Sequence, residues 1–251
     1  MKKAFTLSEV LITLGIIGIV AAMTMPMLLA NSREKEMVSR LKKAYSNVSQ
    51  AFQRTIVVNN TPNYWNLRQE GDPSGAISIQ DKISEYFIVS KDCQANGGCW
   101  PNAEIIKLDG TSTGLNFGSD TSFATFRIAD GTLYAFRVLS ADCDADFGNM
   151  GALKKVCAEM YIDINGERRP NIMGYDVFKF YIVKNGIYPA GLSSDTETSF
   201  EEECLHKTSG LGCTAWVIDR ANMDYLHCSD IGWSGKVSCK NIFNYNHSIG
   251  M

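Results

Sequence analysis

The sequence predicts an α+β protein: a long N-terminal helix packed on an antiparallel sheet, with a disulfide-rich C-terminal region. Three observations lead there. Residues 5–30 form an apolar run in which Glu9 is the only charge. Residues 31–58 place apolar side chains at helical spacing among charged ones. Beyond residue 59, short alternating runs are separated by turn dipeptides, so one helix precedes a meander and no βαβ alternation occurs.

The chain has 251 residues, room for one ordinary domain and an anchor. Its 27 acidic side chains outnumber 24 basic ones, so there is no basic surplus to neutralise phosphates, which argues against nucleic acid as a main partner.

About 20 apolar residues span a hydrocarbon core as a helix, and residues 5–30 exceed that length. Lys2 and Lys3 precede the run and favour a cytoplasmic N-terminus, which places the remainder beyond the membrane. A cleaved secretory signal would need a short apolar core and a small-x-small site, whereas this run is long and contains Pro26. An uncleaved anchor fits the length but not the acid. A charge within hydrocarbon costs roughly 2.5–3.5 kcal/mol on insertion scales, so Glu9 calls for a partner. Pro26 predicts a kink, and Gly15 and Gly18 weaken the helix by about 1 kcal/mol each relative to Ala.

In residues 31–58, Met37, Leu41, Tyr45, Val48, Phe52 and Ile56 share one helical face. The helix should continue to about Val58, where "NNTP" stops it, for a length on the order of 75–80 Å. "SIQDKISEYFIV" reads as a short helix opening at Ser78 and Asp81, with Ile79, Ile83 and Phe87 on one side. Residues 122–139 read as a hairpin around Asp130-Gly131. "MYIDING" and "DVFKFYIVKNGIYP" add strands, with a second tight turn at Asn185-Gly186, and Cys213–Asp219 reads as a further strand.

Eight cysteines follow the apolar segment: Cys93, Cys99, Cys143, Cys157, Cys204, Cys213, Cys228 and Cys239. An even number beyond a membrane segment points to disulfides in an oxidising compartment. Zinc would need short Cys/His spacings, and no CxxC occurs. On the order of a hundred connectivities are open to eight cysteines. Sequential pairing is the expectation, because each consecutive pair brackets a plausible loop, with 5, 13, 8 and 10 intervening residues.

No HExxH, GxSxG or P-loop pattern occurs, the histidines are His206, His227 and His247, and no catalytic residue is expected. "DINGERRPNIMGYD" is the candidate cation loop, with Asp163, Asn165 and Glu167 alternating, Gly166 allowing a sharp turn and Asp176 closing from downstream. Calcium wants several oxygens converging on such a loop, although Gly166 and two arginines depart from the EF-hand pattern. The plainer reading is a polar turn whose Asp and Asn cap backbone N–H groups.

"KKAFTLSEVLITLGIIGIVAAMTMP" resembles the prepilin signal of type IV pilins and type II secretion pseudopilins. The resemblance implies a leader at residues 1–4, prepilin peptidase cleavage between Ala4 and Phe5, and N-methylation of Phe5. Ala4 stands where the family usually has Gly. Glu9, Gly18 and Pro26 match the family's assembly positions, with Glu9 paired to the Phe5 amine of a neighbouring subunit. Pairing in a low-dielectric bundle would relieve the cost of that acid.

The domain organisation implied is a leader (1–4), a transmembrane and assembly helix (5–30), an amphipathic helix (31–58) and an extracytoplasmic head (59–251), together a pilin-like ladle. The expected function is a structural subunit, minor or specialised, of a type IV pilus, a type II secretion pseudopilus or a DNA-uptake filament. Its expected partners are other pilin-like subunits, prepilin peptidase and an inner-membrane assembly platform. Its expected place is the inner membrane before assembly, with the head outside the cytoplasm. The alternative is an anchored binding or adhesin domain that never polymerises. An anchored enzyme would need a pocket where His206 and His227 meet acids.

Overall fold

The computed structural model describes residues 6–149 and 151–239. The chain divides into two compact units, Met1–Glu36 and Met37–Met251.

The first unit carries the start of helix α1, Leu7–Asn59. Its stretch Leu7–Met25 is long and apolar enough to cross a membrane, with mean hydropathy 2.0, and is not buried within the chain. Leu7, Leu11, Leu14 and Ile17 are each more than half exposed. The helix continues without a break through Gly15, Gly18 and Pro26.

In the second unit α1 is amphipathic. Leu41, Val48 and Phe52 are fully buried, and Met37, Tyr45 and Ile56 pack partly buried beside them. Each fully buried side chain of this size contributes roughly 1.5–3 kcal/mol relative to exposure. The helix ends where Asn60 turns left-handed, φ 59°, ahead of Pro62, a residue type that tolerates that conformation at a helix C-terminus.

Helix α2, Pro73–Ser84, starts earlier than the Ser78 opening expected from sequence. Asp72 caps it by accepting from Ser74 N–H at 2.8 Å, and Pro73 occupies the first turn. An Asp cap followed by Pro is a stronger start signal than Ser78, because it satisfies a free N–H where proline needs none. Ser78 instead donates its hydroxyl to the Trp65 carbonyl at 2.6 Å.

Six strands form one wholly antiparallel sheet in sequential order. They are β1 Val89–Gln94, β2 Ala124–Ile128, β3 Leu133–Val138, β4 Val156–Asp163, β5 Val177–Val183 and β6 Gly186–Pro189. Side chains alternate between faces as a pleated strand requires. Phe126, Tyr134, Phe136, Met160, Ile162, Phe178 and Phe180 join the core shared with α1. Tyr45 of α1 stacks on Phe180 at 5.4 Å. The opposite face, including Leu133, Ala135, Tyr161 and Val177, packs on Trp100, Phe117 and Phe123 from the β1–β2 connection. Both faces are therefore covered, and every residue of β4 and β5 is buried.

The β2–β3 turn closes by Gly131 N–H donating to the Ile128 carbonyl, with Gly131 at φ 93°. The β5–β6 turn is Lys184-Asn185, one residue before the expected Asn-Gly pair, because Gly186 already pairs with Val183. Two short helices follow, α3 Phe200–Glu203 and α4 Thr214–Arg220. The expected strand at Cys213–Asp219 is corrected by α4. Its Val-Ile-Trp content has strand propensity, yet a sheet position is overridden by packing: Trp216 stacks on Phe200 at 4.4 Å, and Arg220 lies over Trp216 and Trp233. The cysteines join Cys93–Cys99, Cys143–Cys157, Cys204–Cys213 and Cys228–Cys239.

Candidate functional site

At the N-terminus, Glu9 has a local partner that the sequence reading did not assign. Its Oε2 accepts from Thr6 N–H and from Thr6 Oγ1, each at 2.8 Å, while Thr6 Oγ1 faces Glu9 N–H at 3.3 Å. This is a reciprocal capping box, in which each residue satisfies an N–H that a helix start leaves free. The signal was legible as Thr-x-x-Glu before an apolar run. A negative charge in the first turn also meets the positive end of the helix dipole. Ala4 and Phe5, the expected cleavage and methylation positions, lie outside the described residues. A Cβ added at Gly15 or Gly18 would meet nothing within 4 Å, so no contact within the chain calls for glycine at either position. Pro26 lies within the helical run of α1.

The β4–β5 connection gathers three of the four expected cation ligands. Asp163, at the end of β4, is fully buried, and its Oδ1 accepts from the backbone N–H groups of Asn165 and Gly166 at 2.9 and 2.8 Å. Asp176, one residue before β5, is equally buried. Its Oδ2 accepts from Asn165 Nδ2 at 2.8 Å and Asn171 N–H at 3.1 Å, and its Oδ1 accepts from Ile172 N–H at 2.5 Å. Glu167 is not part of this group. Its side chain is exposed and paired with Arg127 Nη1 at 2.5 Å, because Gly166 turns the chain outward at φ 72°. Burial, then the neighbouring Asp176 carboxylate, pushes Asp163 well above the ordinary carboxylate range, against its two backbone hydrogen bonds. Burial likewise raises Asp176 to about 7, against hydrogen bonds from Ile172 and Asn165. Asn171, which the sequence reading passed over, sits inside the same web.

A second buried polar group escaped the sequence reading. Glu159 on β4, 2% exposed, makes ion pairs with Arg137 Nε at 2.8 Å and Lys179 Nζ at 3.3 Å, and accepts from Tyr161 Oη at 3.1 Å. These residues are cross-strand neighbours on β3, β4 and β5, so strand register alone brings them together. One carboxylate thus faces two cations within the sheet. Of the histidines, His206 is exposed, His227 is half-buried, and His247 lies outside the described residues. Among the described residues no group of three or more His, Cys, Asp or Glu could hold a metal ion.

Residues 1–25 match the prokaryotic N-terminal methylation motif, so the chain carries a type IV pilin-type prepilin signal. That motif, the apolar start of α1 and the disulfide-bonded α+β fold support a processed, pilin- or pseudopilin-like subunit. No curated protein and no solved structure matches the chain.

Proposed function

We propose that the chain is a pilin-like structural subunit, without catalytic activity. Prepilin peptidase cuts it before Phe5, and it polymerises through α1 into a type IV pilus or a type II secretion pseudopilus. The observation that carries this reading is a prepilin signal running directly into a helix whose apolar side chains have no cover within the chain. Lipid covers such a surface before assembly, and neighbouring helices can cover it afterwards. Helix association in apolar surroundings favours small residues that let backbones approach, a role open to Gly15 and Gly18. The four-disulfide second unit suits a minor or specialised subunit of an extracytoplasmic machine, with an assembly platform and other pilins as partners.

The capping box gives Glu9 a purpose independent of assembly, so the test must separate charge from cap. Glutamine at the third helical position keeps a capping box but removes the charge. The chain is expressed with prepilin peptidase and its companion pilins, and intact mass and filaments are measured. Loss of residues 1–4 with one added methyl group is expected, and Glu9→Gln should be processed normally yet leave the filament. Normal assembly of Glu9→Gln would reduce Glu9 to a cap. An uncut chain would leave a membrane-anchored binding domain as the reading.

A further inference from the structure

The β4–β5 connection holds a polar constellation that a turn does not require. Among the described residues, the buried side-chain polar atoms without a hydrogen-bond partner include Asp163 Oδ2, Asn165 Oδ1 and Asn171 Oδ1. All three are oxygens, and their residues belong to one web, Asp163 and Asn165 through their side chains and Asn171 through its backbone N–H. Asn165 bridges the two carboxylates, donating its backbone N–H to Asp163 and its side-chain amide to Asp176. Asn171 donates its backbone N–H to the same Asp176 oxygen. The two ends of the connection are held together by Ile164 N–H donating to the Asp176 carbonyl at 3.0 Å.

Asp195 shows what this fold does with a buried carboxylate that only shapes a loop. It is 4% exposed, and its two oxygens accept four hydrogen bonds, from the N–H groups of Gly191, Glu197 and Thr198 and from Thr198 Oγ1. Asp163 is fully buried, yet one of its oxygens accepts nothing. Among the described residues no Lys, Arg or His forms an ion pair with Asp163 or Asp176. Two buried carboxylates without a counter-charge, in one web with two amide oxygens that have no partner, form an electrostatic deficit that a dication would balance.

We propose that Asp163, Asn165, Asn171 and Asp176 form a divalent-cation site that takes calcium. The donors are all oxygens, two anionic and two amide carbonyl, which is a hard-ion set and offers nothing to zinc or copper. Calcium accepts six to eight oxygens on irregular loops, so waters or backbone carbonyls complete its shell, whereas magnesium demands a near-ideal octahedron. Asn171 also lines a cleft of about 310 Å³ with Pro101, Glu104, Arg169 and Ile172, which puts the site beside a route from solvent. The bound ion would fix the connection between β4 and β5, the two fully buried strands, so the site ties ion binding to the stability of the sheet.

The test uses the full chain in non-ionic detergent, stripped with chelator and followed by isothermal calorimetry and thermal unfolding against calcium chloride and magnesium chloride. One calcium per chain is expected, with a dissociation constant on the order of 10⁻⁴–10⁻³ M or tighter, and a raised melting temperature. Magnesium should bind more weakly. Asp163→Asn keeps an oxygen for the Asn165 and Gly166 N–H groups but removes a charge, and should weaken calcium at least about tenfold. Asn171→Ala removes a side chain whose oxygen bonds nothing, so it should fold and also bind more weakly. It decides the matter if Asp163→Asn does not fold. Glu167→Gln should bind as the parent chain does. No heat and no thermal shift up to about 10 mM calcium would overturn the site. So would binding that Asn171→Ala leaves unchanged.

Discussion

Glu9 and Asp163 are carboxylates for which residue type alone says little, and their neighbours decide what each does. Glu9 meets Thr6, three residues away, so its capping role was readable from four consecutive letters. Asp163 meets Asp176 only after the chain has reversed direction, and Asn171 joins them with no motif to mark it. Gly166 is the residue on which that reversal depends. It sits at φ 72°, and an added Cβ would lie 2.5 Å from the Gly131 carbonyl oxygen. Gly166→Ala should therefore destabilise the second unit by about 2 kcal/mol, through a left-handed non-glycine backbone and a contact with main chain that cannot yield. Urea unfolding followed by tryptophan fluorescence measures this, and an unchanged midpoint would show that the turn can relax.

At the scale of elements, α1 and strands β2 to β6 were legible because apolar periods of 3.6 and 2 are local properties of the chain, whereas β1, exposed along its middle, carries no apolar alternation and was not read from the sequence. The period survives on β4 and β5 even though both sheet faces are covered, because Glu159 and Lys179 occupy one face and mark the alternation. That ion group predicts an asymmetry. Glu159→Ala leaves Lys179 buried without its partner and should cost about 3–5 kcal/mol, whereas Glu159→Gln combined with Lys179→Met should recover most of it. Chemical unfolding of the three chains tests this; equal losses would mean the group is hydrated enough to be indifferent.

The same scale governs a pH effect where α1 meets the β2–β3 turn. Burial pushes Asp130 up, but hydrogen bonds from the Lys43 ammonium at 2.8 Å and from Thr132 outweigh it and hold the carboxyl below its ordinary value. A depressed native value means the unfolded chain binds the proton first. The contribution is thus present above the unfolded value near about 3.9 and disappears as pH falls through the native one. Both side chains are substantially exposed, so Lys43→Met should cost no more than about 1 kcal/mol at neutral pH, with a shallower loss of stability on acidification. An acid titration with the same slope as the parent chain would rule the pair out as a contributor.

For the whole molecule, four short-range disulfides brace the unit that begins at Met37, while Leu7–Met25 depends on surroundings outside the chain for cover. Each disulfide contributes typically about 2–4 kcal/mol by restricting the unfolded chain. Alkylation should add no mass before reduction and eight groups afterwards, and reduction should lower the melting temperature by more than any single substitution above. Alkylation without reduction would contradict the pairing. By itself the sequence determined the prepilin signal, the amphipathic run of α1, the antiparallel class and the candidate cysteine pairs, because each is written in residues close together along the chain. The tertiary structure alone decided that residues 214–220 are helical, that Glu159 sits among two cations, and that Asn171 rather than Glu167 stands with Asp163 and Asp176. Those outcomes depend on which distant side chains burial brings into contact, and burial is a property of the folded whole rather than of any short stretch.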